Sequence, residues 1–216
     1  MLIAGVDEAG RGPALGPMVI AVAVIEKDDE EQFVEMGVKD SKLLTRDQRN
    51  EYFPKIKAMV KEYGSVHIEA MELDELMERK SLNEIEAMKI GKMLNELKIK
   101  PELVFVDSPD FVESNFGERI QRYLNFKTQI RSEHKADINY PVVSAASVIA
   151  KVERDFVIDK LAEEFGFMGS GYSHDVNTIK FIESWLNTHG SLPFFARKQW
   201  QTNKNILNKK YQTKLF

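Results

Sequence analysis

An apolar run, Ile3-Ala4-Gly5-Val6, stops on two adjacent carboxylates, Asp7 and Glu8, and passes into Gly10-Arg11-Gly12-Pro13. A strand that ends this way constrains the fold more than any other stretch of the chain. Side chains alternate along a strand, so Asp7 and Glu8 cannot both face a core. A buried carboxylate without a partner is costly, so a cation is expected nearby, either Arg11 or a metal ion. The glycines do not make a phosphate cradle. Gly5 and Gly10 have the G-x-x-x-x-G spacing, yet Arg11 and Gly12 stand where a Walker loop needs Lys and then Ser or Thr. A dinucleotide fingerprint needs a glycine three residues after Gly12, and that position is Leu15. Two acids inside such a cradle would also repel the phosphate. A tight turn in which Arg11 bridges Asp7 or Glu8 and a functional site both fit this stretch taken alone.

At 216 residues and 43% hydrophobic content, the chain suits one sizeable soluble domain with a small appended lobe. No apolar run reaches the length of a membrane span, and Asp7 interrupts a signal-peptide reading. The absence of cysteine excludes disulfides, thiolate metal sites and cysteine nucleophiles together. A cytoplasmic monomer is the expectation. The net charge of −4 is unevenly spread, because the last 33 residues carry six Lys and Arg and no acid, leaving −10 on the first 183. A basic end beside an acidic body fits a protein that holds a nucleic-acid backbone with one part and metal ions with another. A solubilising tail is the plainer alternative.

Met18–Ile25 reads as a second strand. Thr45 is a plausible N-cap for a helix running to about Tyr63. Ser65–Met71 alternates, with Val66, Ile68 and Ala70 on one face, as a half-buried strand does. Ser81 caps a long amphipathic helix that Pro101 ends, and Leu103–Val106 is a buried strand terminating at Asp107. A helix over Phe111–Leu124, a short strand over Thr128–Ser132, a helix from Pro141 to about Phe165, a helix over Val176–Leu186 and a last one from near Phe194 complete the order. That order indicates α/β with a mixed sheet.

Asp7, Glu8, Asp107 and Asp137 stand out as a set. Two of them end apolar strands, and neighbouring strand ends lie close enough to share a site. Asp137 alone reads equally as a helix cap, and Asp107 alone as a turn residue before Pro109. Together they form a hard-oxygen donor set that suits magnesium or manganese rather than zinc. Histidines 67, 134, 174 and 189 are too scattered for a metal motif. Ser144, Ser147, Lys151 and Asp155 share one face of the Pro141 helix, either solvated or turned to the site. Trp200 reads as core.

Gly5-Val6-Asp7-Glu8-Ala9-Gly10-Arg11-Gly12-Pro13, followed by Gly16-Pro17, resembles the opening signature of type 2 ribonucleases H, the ribonuclease HII family. Lys39-Asp40-Ser41-Lys42 resembles the family's D-S-K segment, Val106-Asp107 its central strand end, Asp137 through Asp155 its longest block, and Gly169-Ser170-Gly171-Tyr172 its last motif. The resemblance implies a ribonuclease H-like α/β fold, with a five-stranded mixed sheet flanked by helices and a C-terminal helical lobe. It divides the chain into a catalytic domain over 1–165 and a helical segment with a basic tail over 166–216. The implied activity is endonucleolytic hydrolysis of the RNA strand of RNA–DNA hybrids, and of duplex DNA at single ribonucleotides, leaving 3′-hydroxyl and 5′-phosphate ends. Asp7, Glu8, Asp107 and Asp137 would be the catalytic acids and the ligands of two Mg2+ or Mn2+ ions. Gly10, Arg11, Gly12, Lys39, Ser41, Lys42, Ser144, Lys151, Tyr172 and Arg197 would contact substrate, Arg197 through a phosphate.

Two departures stand against the pattern. Ser173-His174-Asp175 replaces Pro-Ser-Asp after Tyr172, and Leu43 replaces a lysine. Rival readings are a DNA-directed nuclease or resolvase on the same fold, which the Gly10–Gly12 turn and Tyr172 argue against, and a non-catalytic nucleic-acid-binding module, which four intact acids argue against. Gln212-Thr213-Lys214-Leu215-Phe216 resembles the start of a sliding-clamp-binding motif, with a basic frayed end as the plainer reading.

Overall fold

The computed structural model describes residues 1–38 and 44–212. Lys39, Ser41 and Lys42 lie outside the described residues, as do residues 213–216 of the clamp-like segment. The elements are, in order, β1 (Leu2–Ala9), β2 (Met18–Glu26), α1 (Glu30–Glu35), α2 (Arg46–Met59), β3 (Glu62–Ile68), α3 (Ala70–Met77), α4 (Leu82–Glu96), β4 (Leu103–Asp107), α5 (Glu113–Gln121), β5 (Gln129–Glu133), α6 (Ala136–Asn139), α7 (Pro141–Phe165), α8 (Val176–His189) and α9 (Gln201–Gln212). The strands form the expected mixed five-stranded sheet, in the order β3-β2-β1-β4-β5. β1 pairs antiparallel with β2 and parallel with β4, and β4 pairs parallel with β5. No described helix is long and apolar enough to cross a membrane.

Residue contacts divide the chain into two compact units. The first comprises Met1–Ala9, Val19–Val66 and Ser81–Glu153, and the second Gly10–Met18, His67–Lys80 and Arg154–Phe216. In the first, the apolar residues of β1 and β2 share a core with the opening turns of α7, including Val142, Val143, Ala145, Ala146 and Ile149. The approach is close enough that a Cβ on Gly5 would fall 2.3 Å from the Val142 carbonyl carbon. Glycine at this strand position is a packing requirement.

Local signals set several helix starts. Thr45 and Gln48 form a reciprocal capping box on α2. The Ser81 hydroxyl accepts from the Glu84 amide at the start of α4. Where expectation and structure differ, pairing overrides propensity. The helix expected to reach Tyr63 ends at Met59, because the Lys61 amide donates to the Val24 carbonyl on β2 and the chain leaves as β3. The helix α3 begins at Ala70, inside the stretch read as strand.

In the second unit, Ala14, Leu15, Met168, Ile182, Leu186, Phe195, Ala196 and Ile206 make the core. Leu15 forms an isolated bridge with Ala196, and the Gly16 amide donates to the Phe195 carbonyl at 2.8 Å. This extended pairing removes the first turns of the helix expected from Phe194, so α9 begins at Gln201.

Candidate active site

The register of the parallel strands brings the first acids together. Val6 lies opposite Val106, so Asp7 and Asp107 follow side by side, Asp107 as the last residue of β4 and Asp7 two residues before the end of β1. Adjacent strands run about 4.8 Å apart, a spacing at which two carboxylates feel each other strongly. Asp137 is drawn in through backbone, because the Ala136 amide donates to Asp107 Oδ1 at 2.9 Å. Lys135, just before it, is left-handed at φ 58°, which turns the chain from β5 into α6. Asp137 is 1% exposed and Asp7 6% exposed. Glu8 is half-buried.

Burial pushes the Asp7 carboxyl up to about 6; Lys151 and a hydrogen bond from Ser147 act in the opposite direction, and the Asp107 charge adds to the rise. The Lys151 ammonium also donates to the Ser147 hydroxyl. Two residues one turn apart on α7 thus partly offset the charge of Asp7.

The second unit assembles the glycine turn and the Tyr172 loop. The Ala14 and Leu15 amides donate to the Gly171 carbonyl at 2.8 and 3.2 Å. Gly10 has φ 82°, and a Cβ there would sit 2.3 Å from Arg154 Nε and 2.8 Å from the Pro17 carbonyl oxygen. Gly12 is exposed, and among the described residues its one neighbour within 4 Å of the Cβ position is Tyr172 Cε1, at 4.0 Å. The open side of Gly12 therefore faces the Tyr172 ring. Beneath that ring, at 5.2 Å, lies the guanidinium of Arg154, which is 4% exposed.

The sequence model of the family described as Ribonuclease HII matches residues 4–203. The chain belongs to the ribonuclease HII family. It is 44% identical over 209 residues to a ribonuclease HII of Pyrococcus abyssi, covering 97% of this chain and 92% of that protein. The crystal structure of a ribonuclease H2 from Pyrococcus horikoshii OT3 superposes with a TM-score of 0.93 at 42% identity, covering 98% and 100% of the two chains. A ribonuclease HII from Archaeoglobus fulgidus, solved in complex with PCNA, has a TM-score of 0.85 at 36% identity and covers 93% and 96%. Membership makes this chain a ribonuclease H, an endonucleolytic hydrolase.

Two expected substrate contacts are found elsewhere. Ser144 is fully buried and donates to the Val38 carbonyl. Arg197 is fully buried, with its guanidinium on the carbonyls of Gly10, Arg11 and Gly16, so it offers a phosphate no face. Nor is the acid-free end simply a basic surface. Lys210 donates to the Leu186 carbonyl, and Lys209 pairs with Glu183 at 3.3 Å.

Other residues carry more than the sequence indicated. Asp175 caps α8 through the Asn177 amide, and its other oxygen accepts from the amide and hydroxyl of Ser170 at 2.7 and 2.9 Å. These bonds, the Ser170 amide foremost, hold its carboxyl below the usual range and fix the loop that carries Tyr172. The departure Ser173-His174 leaves this anchor in place and sets the His174 ring 5.5 Å from that of Tyr172. Asp175, three residues beyond Tyr172, carried an N-cap signal at the start of α8; Arg154, inside an amphipathic helix, carried none.

Proposed function

We propose that this ribonuclease H cuts the RNA strand of RNA–DNA hybrids and also incises duplex DNA at a single ribonucleotide, with Asp7, Glu8, Asp107 and Asp137 holding two Mg2+ or Mn2+ ions. The observation that carries the reading is the parallel pairing of β1 with β4, which sets Asp7 beside Asp107, with the backbone before Asp137 bonded to Asp107. Among the described residues no three His, Asp or Glu side chains already form a metal cage. The donor set still fits magnesium, which is held by one or two carboxylates together with water and substrate phosphate rather than by an all-protein cage. Asp7, buried and with its carboxyl raised to about 6, gains from a nearby cation. When bound, such ions supply an activated water and stabilise the leaving 3′ oxygen of the scissile phosphodiester.

The remaining work falls to the chain. Lys151 and Ser147 favour the ionised form of Asp7, ready to bind a cation at neutral pH. The Gly10–Arg11–Gly12 turn presents backbone that can donate to or accept from a 2′-hydroxyl regardless of base. The Tyr172 ring offers a surface on which the sugar stacks. Labelled duplexes with no ribonucleotide, one, or a continuous RNA strand test this directly. The reading requires magnesium- or manganese-dependent cutting of the last two only, with 3′-hydroxyl and 5′-phosphate products. Cutting of the all-DNA duplex, or undiminished cutting in chelator, would reject it.

The two glycines separate packing from recognition. Gly10→Ala is expected to destabilise the fold by about 1–3 kcal/mol, since the left-handed backbone and the Arg154 contact both resist a methyl. Gly12→Ala should leave unfolding within about 0.5 kcal/mol of the parent, because open space surrounds that Cβ, while cutting at a lone ribonucleotide falls at least tenfold. Tyr172→Ala should fall with it, and Tyr172→Phe only modestly. Chemical denaturation and single-turnover rates read the two effects apart.

The A. fulgidus complex with PCNA also supports the sliding-clamp reading of residues 212–216. Deleting these five residues should abolish clamp binding by this chain and spare its activity on short duplexes. Equal clamp affinity before and after truncation would refute it.

A further inference from the structure

Arg197 is used entirely inside the protein. Its Nη2 donates to the Gly10 carbonyl at 2.7 Å, Nε to that of Gly16 at 2.9 Å, and Nη1 to that of Arg11 at 3.2 Å. The guanidinium also lies 4.7 Å from the Trp200 ring centre. This arrangement is electrostatically unfavourable. Burial, and next the charge of Arg154, push the Arg197 guanidinium down to about 9. Without it the carbonyls of Gly10, Arg11 and Gly16 would lose these donors, so part of its role is structural. What arginine supplies is a rigid planar fork that holds several carbonyls at fixed angles.

Peptide geometry carries the consequence outward. In a trans peptide the carbonyl of one residue and the N–H of the next point in opposite directions. A Gly10 carbonyl held inward turns the Arg11 N–H away from Arg197, and the Arg11 carbonyl does the same for the Gly12 N–H. Gly12 is exposed, and its open side faces Tyr172. We propose that Arg197 is a positioning residue for ribose recognition: by clamping the Gly10, Arg11 and Gly16 carbonyls it aims the Arg11 and Gly12 amides at the substrate's 2′-hydroxyl. The inference rests on the Gly10–Arg11–Gly12 turn being the sugar reader. It assigns Arg197 no contact with substrate.

Arg197→Met and Arg197→Lys test it, with two readouts. One is kcat/KM on a duplex carrying a single ribonucleotide, and the other is affinity for the all-DNA duplex by fluorescence anisotropy. A positional error near 1 Å costs up to about 100-fold, so Arg197→Met should lose about 30-fold or more in kcat/KM. Its all-DNA affinity should stay within about twofold of the parent, since the outer contacts remain. Arg197→Lys, which keeps a cation able to hold part of the clamp, should fall between parent and Met. An Arg197→Met protein that unfolds cooperatively and cleaves like the parent would overturn the proposal. So would an equal loss of cleavage and all-DNA affinity, which indicates general damage. If Arg197→Met does not fold, Arg197→Lys decides by the same two readouts. Parental cleavage by Gly12→Ala would instead defeat the sugar-reading assignment itself, whatever the Arg197 variants do.

Discussion

With Asp7 replaced by asparagine, cleavage of an RNA–DNA hybrid is expected to fall by about a thousandfold or more, while the metal-free protein becomes harder to unfold above pH 7. The first effect follows from losing a ligand. Metal ions contribute several kcal/mol to a phosphoryl transition state, and about 1.4 kcal/mol is tenfold in rate. The second follows from linkage. The Asp7 carboxyl is raised from 3.8 to about 6 in the folded protein, so the native state holds this proton more tightly than the unfolded chain does. Well below pH 3.8 both states are protonated and Asp7 contributes nothing. As pH rises toward 6 the unfolded chain releases its proton first and the folded state loses stability, by about 3 kcal/mol in all. Asparagine removes that loss. In chelator, Asp7→Asn and parent should therefore melt alike well below pH 3.8, and the variant several degrees higher at pH 8. Magnesium or manganese should reverse the order at pH 8 by stabilising only the parent. Near-normal turnover by Asp7→Asn at saturating magnesium would contradict the ligand assignment. A parent more stable than the variant at pH 8 in chelator would contradict the raised Asp7 carboxyl.

Gly5→Ala should have the largest effect on stability, about 3 kcal/mol or more. The added methyl would lie 2.3 Å from the Val142 carbonyl carbon, 2.4 Å from its oxygen and 2.4 Å from the Val143 nitrogen. These are backbone atoms of α7 and cannot rotate aside, so the helix must move off β1. That movement also carries Ser147 and Lys151 away from Asp7, so surviving protein should be less active as well. Urea unfolding should show a lower midpoint at an unchanged slope. A loss below about 1 kcal/mol would mean that strand and helix do not touch as described.

The legible parts of the chain were those with local causes. The caps at Thr45 and Ser81 and the Pro141 helix each depend on neighbours a few residues away and formed where expected, whereas the first strand runs past its two acids to Ala9. The family motifs then singled out acids that the strand register brings together, although no local pattern in the sequence states that Val6 pairs with Val106. Non-local partners account for what was hidden. Arg197 reads as a surface cation because it sits in a basic, acid-free end, yet its hydrogen-bond partners are carbonyls more than 180 residues earlier. Ser144 shares a polar stripe with Ser147 and Lys151, but its hydroxyl is taken by the carbonyl of Val38. The helix expected from Phe194 failed for the same reason, since Phe195 and Ala196 pair with Gly16 and Leu15.

The central claim is that carboxylates at the ends of β1 and β4 bring divalent ions to the phosphate beside a ribonucleotide. Sulfur substitution at that phosphate tests it most directly. A duplex with one ribonucleotide and a single non-bridging sulfur at the scissile phosphate binds magnesium poorly there and manganese better. One of the two sulfur stereoisomers should be cut far more slowly than the oxygen duplex in magnesium, and manganese should restore most of the rate. Equal rates for oxygen and both sulfur duplexes in magnesium, with chemistry shown to be rate-limiting, would contradict the account.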